Sequence, residues 1–190
     1  MLRVLARTCS YVGCLVLVSV PVAAQEVIHA LTGTVSAIDG AAKTITVFQD
    51  NGSTGVFQGV ANSKKRFDFD KKIAAGTTAA GSFDQQGAYV IVFYYGDGDG
   101  RTAVAVKNLG TGPFVSTEGT VERFDGHSHS LQVKDSTGAV QTFRIDENTV
   151  AEGNMGVEEG RKFEAGKGDH VRVVSRNENG VQTALFVRDI

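Results

Sequence analysis

The sequence predicts an all-β protein, two tandem small five-stranded barrels after an N-terminal signal peptide. Three observations carry this expectation. From residue 28 onward, short segments alternate apolar and polar side chains and are punctuated by Asp-Gly, Asn-Gly and Thr-Gly turns. The segments recur in the same order in two halves of the chain, as a duplicated domain would leave them. Five strands in a unit of roughly 75 residues can bury a core without leaving open edges only by closing, or nearly closing, on themselves.

The first element is a leader. Arg3 and Arg7 precede an apolar run, YVGCLVLVSVPVAA, that ends in the small residues Val22, Ala23 and Ala24. A charged start, an apolar stretch too short to span a bilayer and small residues at the end describe a secretory signal peptide, with cleavage expected after Ala24. The alternative is a lipid anchor on Cys14. It is disfavoured because Tyr11 stands where such a motif wants Leu and the most apolar residues follow the cysteine. The expected product starts at Gln25, is secreted or periplasmic, and keeps no stable membrane anchor.

Removing the leader takes both cysteines, Cys9 and Cys14, with it. The 166 residues that follow have no disulfide framework, no thiolate metal site and no cysteine nucleophile, and must fold on a hydrophobic core. Two of the 19 basic residues and none of the 21 acidic ones lie in the leader, which leaves a net charge of −4 with His neutral. An acidic chain argues against nucleic acid as a partner, since phosphates demand a basic footprint.

The repeat sets the domain limits, 25–110 and 111–190, with Pro113 in LGTGPFVS at the seam. LTGTVSAIDGAAKTITV at 31–47 lies over STEGTVERFDGHSHSLQV at 116–133, offset by 86; GAYVIVFYYGDGDGRTAVAVKN at 87–108 lies over GDHVRVVSRNENGVQTALFVRD at 168–189, offset by 81. Between them FDFD at 67–70 matches FRID at 143–146. Strands are expected at 28–38, 43–49, part of 54–69, 88–95 and 101–108, then at 115–124, 130–134, 139–146, 169–175 and 181–189. Gly33 and Gly119, inside the first strand of each copy, suit a strand that coils sharply to serve both sides of a small barrel.

Three stretches invite a chemical reading. Asp97 and Asp99 in GDGDG resemble part of a calcium loop, yet the matching stretch of the second copy, NENGV, keeps the spacing but not the pair of carboxylates, with Glu178 at the position of Asp97 and Gly180 at that of Asp99. The position a distal Glu would occupy, counted from Asp97, is Asn108. A β-hairpin turn is the expectation, with weak calcium binding as its alternative. His127 and His129 are spaced to share one side of a strand and hold a metal, but they fall on Ala41 and Lys43 of the first copy, in an Asp-Gly hairpin, and read as exposed turn residues. His29 and His170 are single, with no evident partner. No nucleophile and base, phosphate-binding loop or carboxylate pair can be placed on one element, so no enzyme, cofactor or metal is expected.

Two stretches suggest an interaction surface. Lys64, Lys65 and Arg66 open SKKRFDFDKK, where basic residues surround Phe67 and Phe69; such a stretch can hold an anionic polymer, whereas the match of those rings to Phe143 and Ile145 reads them as core. In the strand before GDGDG, Val90, Val92 and Tyr94 face the core, so Ile91, Phe93 and Tyr95 face out and need a cover. With Ala103 and Ala105 they form an apolar patch. Val174, Ala184 and Phe186 hold the matching positions of the second copy, and the two patches are expected to pack against each other, with a homodimer contact or a ligand platform as alternatives.

The order of parts is Gly-Thr-Val opening a strand, an Asp-Gly hairpin, a Phe-x-[Phe/Ile]-Asp strand, a Gly-rich connector and a final hairpin ending in Thr-Ala-x-x-Val. This order resembles a family of exported bacterial β-barrel domains of unknown function with an OB-like topology, found singly or in tandem. The resemblance implies a cell-envelope or secreted module that binds or scaffolds without catalysis, its partner an unidentified envelope protein or polysaccharide. An oligosaccharide or polyanion binder using an OB-like face is the alternative, and a metal-dependent hydrolase a distant third.

Overall fold

The computed structural model describes residues 27–60 and 71–190; residues 1–26, which include the expected leader, and residues 61–70, with Lys64, Lys65, Arg66, Phe67 and Phe69, lie outside the described residues. In the first copy the strands are β1 (His29–Asp39), β2 (Thr44–Gln49), β3 (Thr54–Gly59), a short β4 (Thr77–Ala79), β5 (Tyr89–Tyr95) and β6 (Thr102–Asn108), with a single helical turn, α1 (Lys71–Ala74), before β4. In the second they are β7 (Val115–Asp125), β8 (Ser130–Asp135), β9 (Val140–Arg144), the hairpin β10 (Val150–Gly153) and β11 (Gly156–Glu159), β12 (His170–Glu178) and β13 (Val181–Asp189).

Each copy closes. The first runs β3-β2-β1-β5-β6, and β6 returns to pair in parallel with β3 at Gln58↔Thr102 and Gly59↔Ala103. The second repeats this as β9-β8-β7-β12-β13, closed where β13 meets β9 at Thr183↔Arg144. The protein is thus all-β, with two five-stranded barrels in tandem whose strand order is consistent with OB-like domains. Beyond the ten expected strands, β4 lies along β6, and β10 runs parallel to β13 with β11 beside it.

The first strand of each barrel pairs on both sides, and glycine makes this possible. A Cβ on Gly33 would lie 2.2 Å from the Phe48 carbonyl oxygen, and one on Gly119 would lie 2.2 Å from that of Lys134. Three residues on, Ser36 and Glu122 are left out of the pairing as β-bulges, which bend the strand from one neighbour to the other. The hairpin turns repeat as closely. Asp39 Oδ1 accepts from the N–H groups of Ala41 and Ala42, and Asp125 Oδ1 from those of His127 and Ser128. Lys43 and His129 both adopt positive φ, and both carbonyls accept from the strand beyond, from Gly59 and Ile145.

Two expectations need correction. The counterpart of Phe143 is Phe57: Phe143 pairs opposite Leu131, Phe57 opposite Ile45, and both rings are fully buried. The third strand of the first copy therefore keeps the offset of 86, and the match of FDFD to FRID is a coincidence of composition. The second correction concerns Ala103 and Ala184, which point into the barrels. Val104 and Leu185 are extra residues at bulges on β6 and β13, so the alternation changes phase there.

Inside the first barrel Leu31, Val35, Ile45, Val47, Phe57, Val90 and Val92 pack together, and Val121, Leu131, Val133, Phe143, Val171 and Val173 do so in the second. Each core is completed by a phenylalanine just after a 3-10 turn, Phe83 following Ala80–Ser82 and Phe163 following Gly160–Lys162.

Candidate binding face

Ile91 and Phe93 of β5 and Phe186 of β13 are buried in one cluster between the barrels, with Ala30, Val104 and Ala105 of the first copy and Val150 and Val174 of the second. Tyr95 is half-buried at its margin. Phe93 and Val174 are equivalent positions, as are Ala105 and Phe186, so each barrel contributes the same face. These side chains are covered by their own chain.

Polar contacts frame this junction. Glu152 on β10 is 4 % exposed, and its carboxylate accepts from the Ala30 N–H at 3.1 Å and pairs with His29 Nδ1 at 3.0 Å and Arg188 Nε at 3.6 Å. His29 therefore has a partner, 123 residues away in sequence, that no local pattern announces. Lys72 Nζ reaches Glu159 Oε2 at 3.1 Å, and the Val157 N–H donates to the Ile28 carbonyl at 3.0 Å. Gly156 makes that approach possible, since a Cβ there would stand 2.7 Å from the same carbonyl oxygen.

GDGDG joins β5 to β6 as a hairpin connection, with a 3-10 turn at Gly98–Gly100 and Arg101 Nε donating to the Gly98 carbonyl. His127 is exposed and His129 half-buried in the β7–β8 turn, and His170 is exposed on β12. Among the described residues no group of three or more His, Cys, Asp or Glu side chains converges as a metal site would.

Two concavities of the described surface bear on binding. One, of about 320 Å³, lies between the copies and includes Lys107, Asp146, Arg176 and Glu178. Its charges largely satisfy each other: Arg176 pairs with Glu178 at 2.8 Å, and Arg144 lies 3.5 Å from Glu178 and 3.8 Å from Asp146. Burial pushes the Lys107 ammonium below the usual lysine range, opposed by Asp146.

The other is a groove of about 610 Å³ beside β1 and β5, walled by the chain that leads into the second copy. Tyr89 and Phe114 stack here with ring centroids 4.8 Å apart. The Tyr89 hydroxyl donates to Asp50 Oδ2 at 2.6 Å, and burial, followed by this carboxylate, pushes the phenol far above its ordinary range. Thr34, Gln85, Gln86 and Asn108 supply amides and a hydroxyl, and none of the described residues lining the groove is charged.

Strand register joins this groove to the outer surface of the first barrel. Thr34 stands opposite Tyr89 on one side and opposite Phe48 on the other. Beyond lie the outward pairs Phe48↔Thr54, Thr46↔Val56 and Thr44↔Gln58, again without charge, and Phe48 is 53 % exposed. The same surface of the second copy carries Ser130↔Arg144, Gln132↔Thr142 and Lys134↔Val140.

The fold and these surfaces define a tandem β-barrel protein. No protein-family model matches the chain, and no curated protein matches it.

Proposed function

We propose that this chain is a noncatalytic binding or scaffolding module exported to the bacterial cell envelope. The observation that carries the reading is the surface just described. The groove beside β1 and β5 offers rings, amides and hydroxyls, which hold a ligand, and none of the described residues lining it is charged. The leader composition of residues 1–24 supports export, and the thiol-free remainder suits folding outside the cytoplasm. The strand and turn motifs support kinship with the exported OB-like barrel domains they resemble.

The test is capture from an envelope fraction by immobilised residues 25–190, with neutral glycans and polyanions as competitors. Specific retention of an envelope component, released by one competitor class, is the expected result. Retention no greater than on an unrelated β-barrel of similar charge would contradict the reading.

A further inference from the structure

We propose that the outer face of the first barrel, from β3 across β2 and β1 to the groove beside β5, binds a neutral oligosaccharide. The inference rests on the reading of the protein as a binding module and assigns its ligand class. Charge is the first argument. The chain carries 19 basic and 21 acidic residues, yet the outward positions of β2 and β3 and the groove lining have none, whereas the equivalent surface of the second copy presents Lys134 and Arg144. Among the described outward and groove-lining residues an anionic polymer finds no counter-charge, and a charged peptide no partner for its side chains.

Ring placement is the second argument. Phe48 is 53 % exposed on a strand whose register gives it no large apolar neighbour. It shares a cross-strand row with Thr34 and Tyr89, so the two ring positions stand two strands apart, roughly 10 Å. A monosaccharide does not bridge that span; an oligosaccharide does. Its C–H faces pack on aromatic rings while its hydroxyls meet threonine and the amides of Gln85 and Gln86. Strand geometry supplies the third argument. An extended peptide recognises a sheet by adding to a free edge, and β1, β2 and β5 each already have neighbours on both sides.

The exported chain is titrated calorimetrically with cellotetraose, laminaritetraose, chitotetraose and maltotetraose, and with dextran sulfate. At least one neutral tetraose is expected to saturate the protein with an affinity that survives raised salt. Phe48→Ala and Gln85→Ala should each weaken it about tenfold, while Val140→Ala on the second barrel leaves it unchanged. Unaltered thermal melting of Phe48→Ala shows that a loss is not unfolding. Failure of all four sugars to bind, affinity indifferent to Phe48→Ala, or salt-sensitive binding of dextran sulfate alone would each overturn the proposal. An envelope component whose capture ignores Phe48→Ala would remove the oligosaccharide and leave the binding module; loss of both sugar binding and capture removes the two together.

Discussion

Glu152 shows how one side chain joins the two copies. A carboxylate this deeply buried is costly unless its oxygens are satisfied, and here a main-chain N–H and two cationic or imidazole side chains do so, two of the three from the other barrel. His29 and Arg188 retain access to water, with side chains 39 % and 31 % exposed, so removing the carboxylate leaves them partly hydrated while the Ala30 N–H loses its acceptor. Glu152→Ala is therefore expected to lower unfolding free energy by roughly 1–3 kcal/mol, read from the urea midpoint. An unchanged midpoint would show the contact to be incidental. Nothing in the sequence near residue 29 points to residue 152, because the pair is made where the two barrels meet and not by any local periodicity.

At the scale of the element, duplication decides what can be read from sequence. The glycines inside the first strand of each copy, the Asx turns and the positive-φ residues recur at matched positions because each answers a local geometric demand, and local demands leave residues behind. Gly33→Ala is expected to destabilise the protein by roughly 2–4 kcal/mol, measured by denaturant unfolding, since the new methyl meets main chain that cannot turn aside. Wild-type stability in that variant would contradict the close approach of β1 and β2. Bulges are less legible. Ser36, Val104 and Leu185 look like ordinary members of an alternating strand, and only pairing reveals the change of phase that turns Ala103 and Ala184 inward. Composition can also mislead: FDFD resembles FRID more than FQGV does, yet opposition to Ile45 and Leu131 makes Phe57 the partner of Phe143. The uncharged outer face was equally hidden. It is assembled from alternate residues of four strands, and its meaning lies in a contrast with the second copy that is visible only once register is known.

The whole molecule follows from one face used twice. Each barrel is closed, but the stripe made by Ile91 and Phe93 in one copy and by Val174 and Phe186 in the other would be left facing water if the barrels stood apart. Packing the stripes together covers both, and among the described residues Phe48 and Val56 stay exposed on the outer surface of the first barrel. Burying a ring such as Phe93 is worth roughly 1.5–3 kcal/mol by area, and placing a carboxylate there would add an unpaired buried charge. The central claim is that the two copies form one unit through this junction, and differential scanning calorimetry of residues 25–190 with and without Phe93→Asp tests it most directly. A single cooperative transition that falls to a lower temperature or splits in two on substitution is the predicted result. Two independent transitions in the wild type, both unmoved by Phe93→Asp, would contradict it.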